Sequence, residues 1–97
     1  MKFTEKIKEL RETLQIPQRK MAATLDVDTA TYCKFERGER KVRREQLPII
    51  ATLLKTDETE LLKLWLADQV TKPVADEKEI SNDILKIAKE NINKNKM

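Results

Sequence analysis

The stretch that most constrains this chain is residues 18–38, QRKMAATLDVDTATYCKFERG. Met21, Ala22 and Leu25 share a helix face through their i, i+1, i+4 spacing, and Tyr32 and Phe35 share one at i, i+3. Between them, Asp26-Val27-Asp28 leaves room only for a tight turn that brings two short helices into contact. Asp28 suits the N-cap of the second helix, where its carboxylate can accept a hydrogen bond from an orphan backbone N–H. Gly38, the only glycine, suits the position just past that helix, where positive φ costs glycine little. The pattern predicts a helix, a turn and a second helix with an outward polar face. An αα-hairpin serving only a helical core would leave the same signature.

Ninety-seven residues predict one small domain, and a hydrophobic fraction of 39% supports a modest aliphatic core. Small domains have little stability margin, so burial of further apolar surface in a dimer would add to it. The net charge of +3 says less than its distribution. Residues 1–44 hold 12 basic and 7 acidic side chains, whereas residues 45–97 hold 8 and 10. The basic half contains the two-helix stretch, as a surface facing phosphates requires.

One cysteine, Cys33, excludes an intrachain disulfide, and without histidine a zinc finger cannot be built. A lone thiol, a single glycine and no phosphate-binding loop assemble no catalytic constellation, so neither an enzyme nor a cofactor is expected. No leader-like or membrane-length apolar run is present, which points to a cytoplasmic setting and no membrane partner. Cys33 itself reads as a small surface-facing residue.

The rest of the chain reads as helix throughout. Residues 3–14 form the first, with Phe3, Ile7, Leu10 and Leu14 on one stripe. Arg11 lies beside that stripe, so partial burial would require a partner carboxylate. Gln15-Ile16-Pro17 forms the break, and the second and third helices cover residues 18–25 and 29–37. The third leaves Thr29, Ala30, Cys33 and Lys34 on or near its outer face, flanked by Thr31. The loop that follows carries Arg37, Arg40, Lys41, Arg43 and Arg44 against Glu39 alone. Pro48 belongs in the first turn of a fourth helix starting near Arg44 or Glu45, with Leu47, Ile50, Ala51 and Leu54 inward. Asp57 and Glu60 have capping-box spacing and open a fifth helix over residues 58–70. Its Leu61, Leu64 and Trp65 can complete the core, leaving Leu62, Leu66 and Val70 as an exposed stripe that marks a dimer interface. Lys72-Pro73 breaks the chain. A last amphipathic helix then starts at about Asp76, with Ser81 as a restart, and carries Ile80, Ile84, Leu85, Ile87, Ala88 and Ile92. A polar, frayed tail, residues 91–97, ends it.

Residues 3–70 resemble the Xre/Cro-type, lambda-repressor-like helix-turn-helix family, which includes phage repressors and restriction–modification controller proteins. Leu10-Arg11, Gln18, Ala22, Leu25, Val27, Tyr32, Glu36-Arg37-Gly38, Ile50-Ala51 and Leu54 carry the resemblance. It implies an all-α fold, with a compact five-helix DNA-binding domain over residues 1–70 and a C-terminal helical extension over residues 71–97. It implies a homodimer on double-stranded DNA, with base edges read by Thr29, Ala30, Thr31 and Lys34. Gln18 matches the family's phosphate- and base-supporting glutamine, and Arg11 with Glu36 matches its buried ion pair. Arg19, Arg37, Arg40, Lys41, Arg43 and Arg44 are expected at phosphates or a groove edge. Two departures stand out: Asp26 occupies a turn position where glycine is frequent, and Thr, Ala and Lys replace the usual reading glutamines. The function so implied is a sequence-specific transcriptional regulator, a small repressor or controller, acting on a pseudo-palindromic operator. The alternative is an antitoxin-like interaction module whose last helix binds a partner protein.

Overall fold

Apolar spacing becomes helix packing in the computed structural model, which describes residues 1–94. The described residues form six α-helices and no strand: α1 (Phe3–Thr13), α2 (Gln18–Thr24), α3 (Thr29–Arg37), α4 (Leu47–Leu53), α5 (Glu58–Val74) and α6 (Ser81–Lys94). A 3₁₀ turn, Arg44–Gln46, leads into α4. The chain divides into two compact units, Met1–Leu66 and Ala67–Met97.

In the first unit α2 packs most extensively on α3, α1 also rests on α3, and α4 meets α2. The core gathers Phe3 and Ile7 from α1, Met21, Ala22 and Leu25 from α2, and Tyr32 and Phe35 from α3. Val42, Leu47, Ile50, Ala51, Leu54 and Leu61 complete it. Tyr32 and Phe35 meet edge to face, with ring centroids 6.1 Å apart and planes at 82°. Each large side chain so buried contributes about 1.5–3 kcal/mol of transfer free energy. Pro48 sits in the first turn of α4, where its missing N–H breaks no helical bond.

Four helices end in the same way. After α1, α2, α3 and α4 a residue enters the left-handed region: Gln15 (φ 57°), Asp26 (φ 57°), Gly38 (φ 76°) and Lys55 (φ 53°). At each end two amides turn back onto carbonyls of the last turn, as Val27 N–H does to Ala22 and Asp26 N–H to Ala23, at 3.0 and 3.2 Å. Ile16 and Val27, next after the left-handed residue, pack against the core and lock the exit. Only one of the four positions uses glycine, so the other three carry left-handed strain.

Several boundaries differ from those the sequence suggests. Leu14 is exposed, because α1 ends at Thr13 and Leu14 caps it instead of extending the inward stripe. Leu62 packs partly against the core, whereas Leu66 and Val70 stay exposed. At the start of α5, Asp57 Oδ1 accepts from Thr59 N–H at 3.1 Å, while Glu60 pairs with Lys63 Nζ at 3.1 Å instead of closing a capping box. α5 also runs through Pro73 to Val74. A proline in the final turn forgoes one amide bond, and only one residue follows it in the helix.

The second unit consists of the end of α5, a turn and α6. Glu77 N–H donates to the Val74 carbonyl at 3.0 Å and Ile80 N–H to the Glu77 carbonyl at 3.2 Å, so residues 75–80 are turn and not helix. Ser81 Oγ donates to the Lys78 carbonyl at 3.1 Å, and α6 starts there, not at Asp76. Residues 91–94, expected in a frayed tail, are helical; the remainder of that tail lies outside the described residues. α6 buries no side chain, and Ile80, Leu85, Ile87 and Ile92 are between 43% and 61% exposed.

Candidate nucleic-acid interface

The geometry of α3 decides what the first unit can present. Tyr32, Phe35 and Glu36 face inward, so Thr29, Ala30 and Lys34 are left in solvent with Thr31 half-buried. The Asp28 carboxylate accepts the Thr31 N–H at 2.7 Å and closes the first turn. Hydrogen bonds from the Thr31 side chain and backbone hold the Asp28 carboxyl below its usual range, with Lys34 and Arg40 contributing through their charges. Asp28 therefore stays ionised between two outward cations.

Beneath this face lies a polar cluster that fixes the rotation of α3. Arg11 Nε donates to Glu36 Oε2 at 2.6 Å and Arg11 Nη2 to Oε1 at 3.1 Å, a two-pronged pair joining α1 to α3. Arg11 Nη1 donates to the Ile16 carbonyl at 3.0 Å, tying in the break before α2. Gln18 Nε2 donates to Glu36 Oε1 at 3.1 Å, and Cys33 Sγ donates to Gln18 Oε1 at 3.0 Å. Burial opposes the Glu36 charge, but the bonds from Arg11 and Gln18, with the nearby Tyr32 hydroxyl, together outweigh it and hold the carboxyl below its ordinary value. The Tyr32 hydroxyl lies buried toward this pair without a well-formed hydrogen bond; burial first, then Glu36, pushes its pKa far up and keeps it protonated.

The basic loop after α3 is pinned from below. Val42 is buried, and its carbonyl accepts from Trp65 Nε1 at 2.9 Å. Lys41 Nζ lies 5.1 Å from the centroid of the Trp65 ring, a cation–π contact. The Gln46 carboxamide, also buried, accepts the Arg43 N–H at 2.8 Å. With Val42 held, Arg40, Lys41, Arg43 and Arg44 all stay exposed. Arg37 pairs with Glu39 at 2.7 Å and Arg43 with Glu45 at 3.6 Å; both pairs are open to water, so a phosphate can displace the carboxylates at small cost.

The structure thus brings Thr29, Ala30 and Lys34 onto one exposed helix face, and leaves Arg19, Arg37, Arg40, Lys41, Arg43 and Arg44 exposed. Gln18 is half-buried, with its carboxamide engaged by Glu36 and Cys33, so its first role is inside the fold. Cys33 is half-buried rather than surface-facing, because Gln18 lies over it. Trp65 and Gln46 were not legible as supports of the loop. The one signal was an apolar Val42 flanked by cations, a residue that needs a pocket in an otherwise solvated run.

Among the described residues no group of His, Cys, Asp and Glu side chains is placed to hold a metal ion, and no helix is long and apolar enough to cross a membrane. A family model described as "Helix-turn-helix" matches residues 7–61, from the middle of α1 to the start of α5. No curated protein matches the chain, and no solved structure does.

Proposed function

Because the chain belongs to the Xre/lambda-repressor-like helix-turn-helix family, and so is in general terms a DNA-binding transcriptional regulator, we propose that it works as a homodimeric repressor or controller on a pseudo-palindromic operator. The observation that supports this best is α3, clamped on one face by the core and the pair of Arg11 and Glu36, with an uncommitted polar face outward. In the major groove, Lys34 donates to guanine O6 and N7, Thr29 and Thr31 bond base edges or phosphate, and the Ala30 methyl packs on a thymine methyl. Arg19, Arg37, Arg40, Lys41, Arg43 and Arg44 supply the phosphate contacts that set register and affinity. Gln18 supports them by holding Glu36 and by offering its remaining amide N–H at the start of α2. The exposed Leu66 and Val70, with the open part of Leu62, supply apolar surface to the dimer. Two copies of α3 then enter successive major grooves about 34 Å apart.

Selection of bound duplexes from a random library at near-physiological salt tests this reading. Enrichment of an inverted repeat with half-sites one helical turn apart is the expected result. Binding without sequence preference would remove the base-reading roles of Thr29, Ala30, Thr31 and Lys34. A second reading, an antitoxin-like module that holds another protein, draws on the open apolar face of α6.

A further inference from the structure

α6 is fourteen residues long and buries none of its side chains. Helices of about 12–15 residues are marginal in water on their own, so packing against another surface must supply most of their stability. At 3.6 residues per turn, Ile84, Ile87, Ala88 and Ile92 fall on one face of α6 around a single polar residue, Asn91, continued by Ile80 at its N-terminal edge, with Leu85 at one margin. Ile84 is half-buried and the other apolar members of the face are exposed. Lys86 and Asn93 lie on the opposite side. The other margin of the apolar face carries Asp83, Glu90 and Lys94.

We propose that this face is covered by α6 of a second copy, running antiparallel, with the two helices crossing beside Ala88 and Asp83 of each copy facing Lys94 of the other. Asp83 can reach Lys94 of a second copy only in the antiparallel arrangement. A two-fold axis beside Ala88 brings the same margin of both helices together, so the register that sets Leu85 against Ile92 of the second copy also sets Asp83 against its Lys94. Each pair occurs twice. In a parallel pair the two-fold axis runs along the helices and opposite margins meet, so Asp83 would lie across from the margin of Leu85 and Lys89 and out of reach of Lys94. Glu90 falls near the axis, one turn from Lys86 and Lys94 of its own helix, which offset its charge. Antiparallel helices also align their macrodipoles favourably. Ala88, the smallest apolar residue of the face, lies where the backbones come closest. Both Asp83 and Lys94 are exposed and form no ion pair among the described residues. The inference deepens the homodimer reading and rests on it, but not on which DNA sequence is read.

Sedimentation velocity of the full chain across micromolar concentrations at low salt tests the pairing, with Asp83→Lys, Lys94→Asp and the double exchange as variants. The expected result is a reversible dimer that each single reversal weakens roughly tenfold, about 1.4 kcal/mol, and that the double exchange restores. Disulfide trapping in a Cys33→Ser background adds geometry: Leu85→Cys chains mixed with Ile92→Cys chains should cross-link better than either alone. A monomer at all concentrations would overturn both the pairing and the homodimer. A dimer indifferent to the single reversals, or one not rescued by the double exchange, would overturn the antiparallel pairing and leave the homodimer standing. A chain that dimerises only with an added protein would favour the interaction-module reading and overturn this one. Duplex selection on the same variants separates these failures from loss of DNA reading.

Discussion

α3 and α6 are both amphipathic, yet they resolve their apolar faces differently. α3, with nine residues, buries Tyr32, Phe35 and Glu36 within its own unit, is capped by Asp28 and stops at Gly38. α6, with fourteen, is longer and buries nothing. An apolar stripe is therefore a demand for a neighbour, and the stripe alone does not say which chain provides it. For α3 the neighbours are α1 and α2, and their grip frees the opposite face for recognition.

The sharpest way to break this contrast is to loosen α3. Glu36→Ala leaves the Arg11 guanidinium buried without its carboxylate, with side-chain exposure of only 13%, and should cost about 3–5 kcal/mol in urea unfolding. The same pair makes stability depend on pH. Because the Glu36 carboxyl is held below its ordinary value in the folded chain, its contribution is complete above about pH 4.3. That contribution should fade as pH drops through the depressed value. Acid titration of Glu36→Gln should show a flatter profile over that window, and an unchanged profile would remove the pair as its cause.

Smaller effects belong to the outward face. Lys34→Ala should reduce discrimination at one base pair of the half-site by about 1–3 kcal/mol while leaving thermal unfolding alone. Arg44→Ala should weaken binding to all duplexes and lower the log–log salt slope by about one unit per half-site. At the helix ends, Lys55→Gly relieves a left-handed residue that carries a side chain, and should raise stability by about 1 kcal/mol, read as a higher urea midpoint. Smallest of all, removing residues 81–97 should change the unfolding free energy of dilute monomer by no more than roughly 0.5 kcal/mol. A larger loss would mean that α6 finds its neighbour within its own chain.

Much of this was legible in the sequence because it is local. Spacing of Met21, Ala22, Leu25, Tyr32 and Phe35 places two helix faces, and Asp28 and Gly38 mark where α3 starts and stops. The stripe of Leu47, Ile50, Ala51 and Leu54 is buried throughout, as its period requires. Boundaries that depend on small energy differences were less legible. Leu14 fits the α1 stripe by period but falls at a cap, and Pro73 reads as a breaker although a final turn tolerates it. The supports of the candidate site were hidden for another reason. Trp65 reaches the Val42 carbonyl across 23 positions, and Cys33 reaches Gln18 across 15. No periodicity links such residues.

By itself, then, the sequence determined an all-helical chain, the place of the turn between α2 and α3, and the concentration of cations around it. These follow from backbone propensity, side-chain period and charge, which act over a few residues. Only the tertiary structure decided that Gln18 and Cys33 turn toward each other, that Leu62 leans on the core while Leu66 and Val70 do not, and that α6 stays open. Those outcomes depend on distances between segments far apart in sequence, which exist only once the helices have packed.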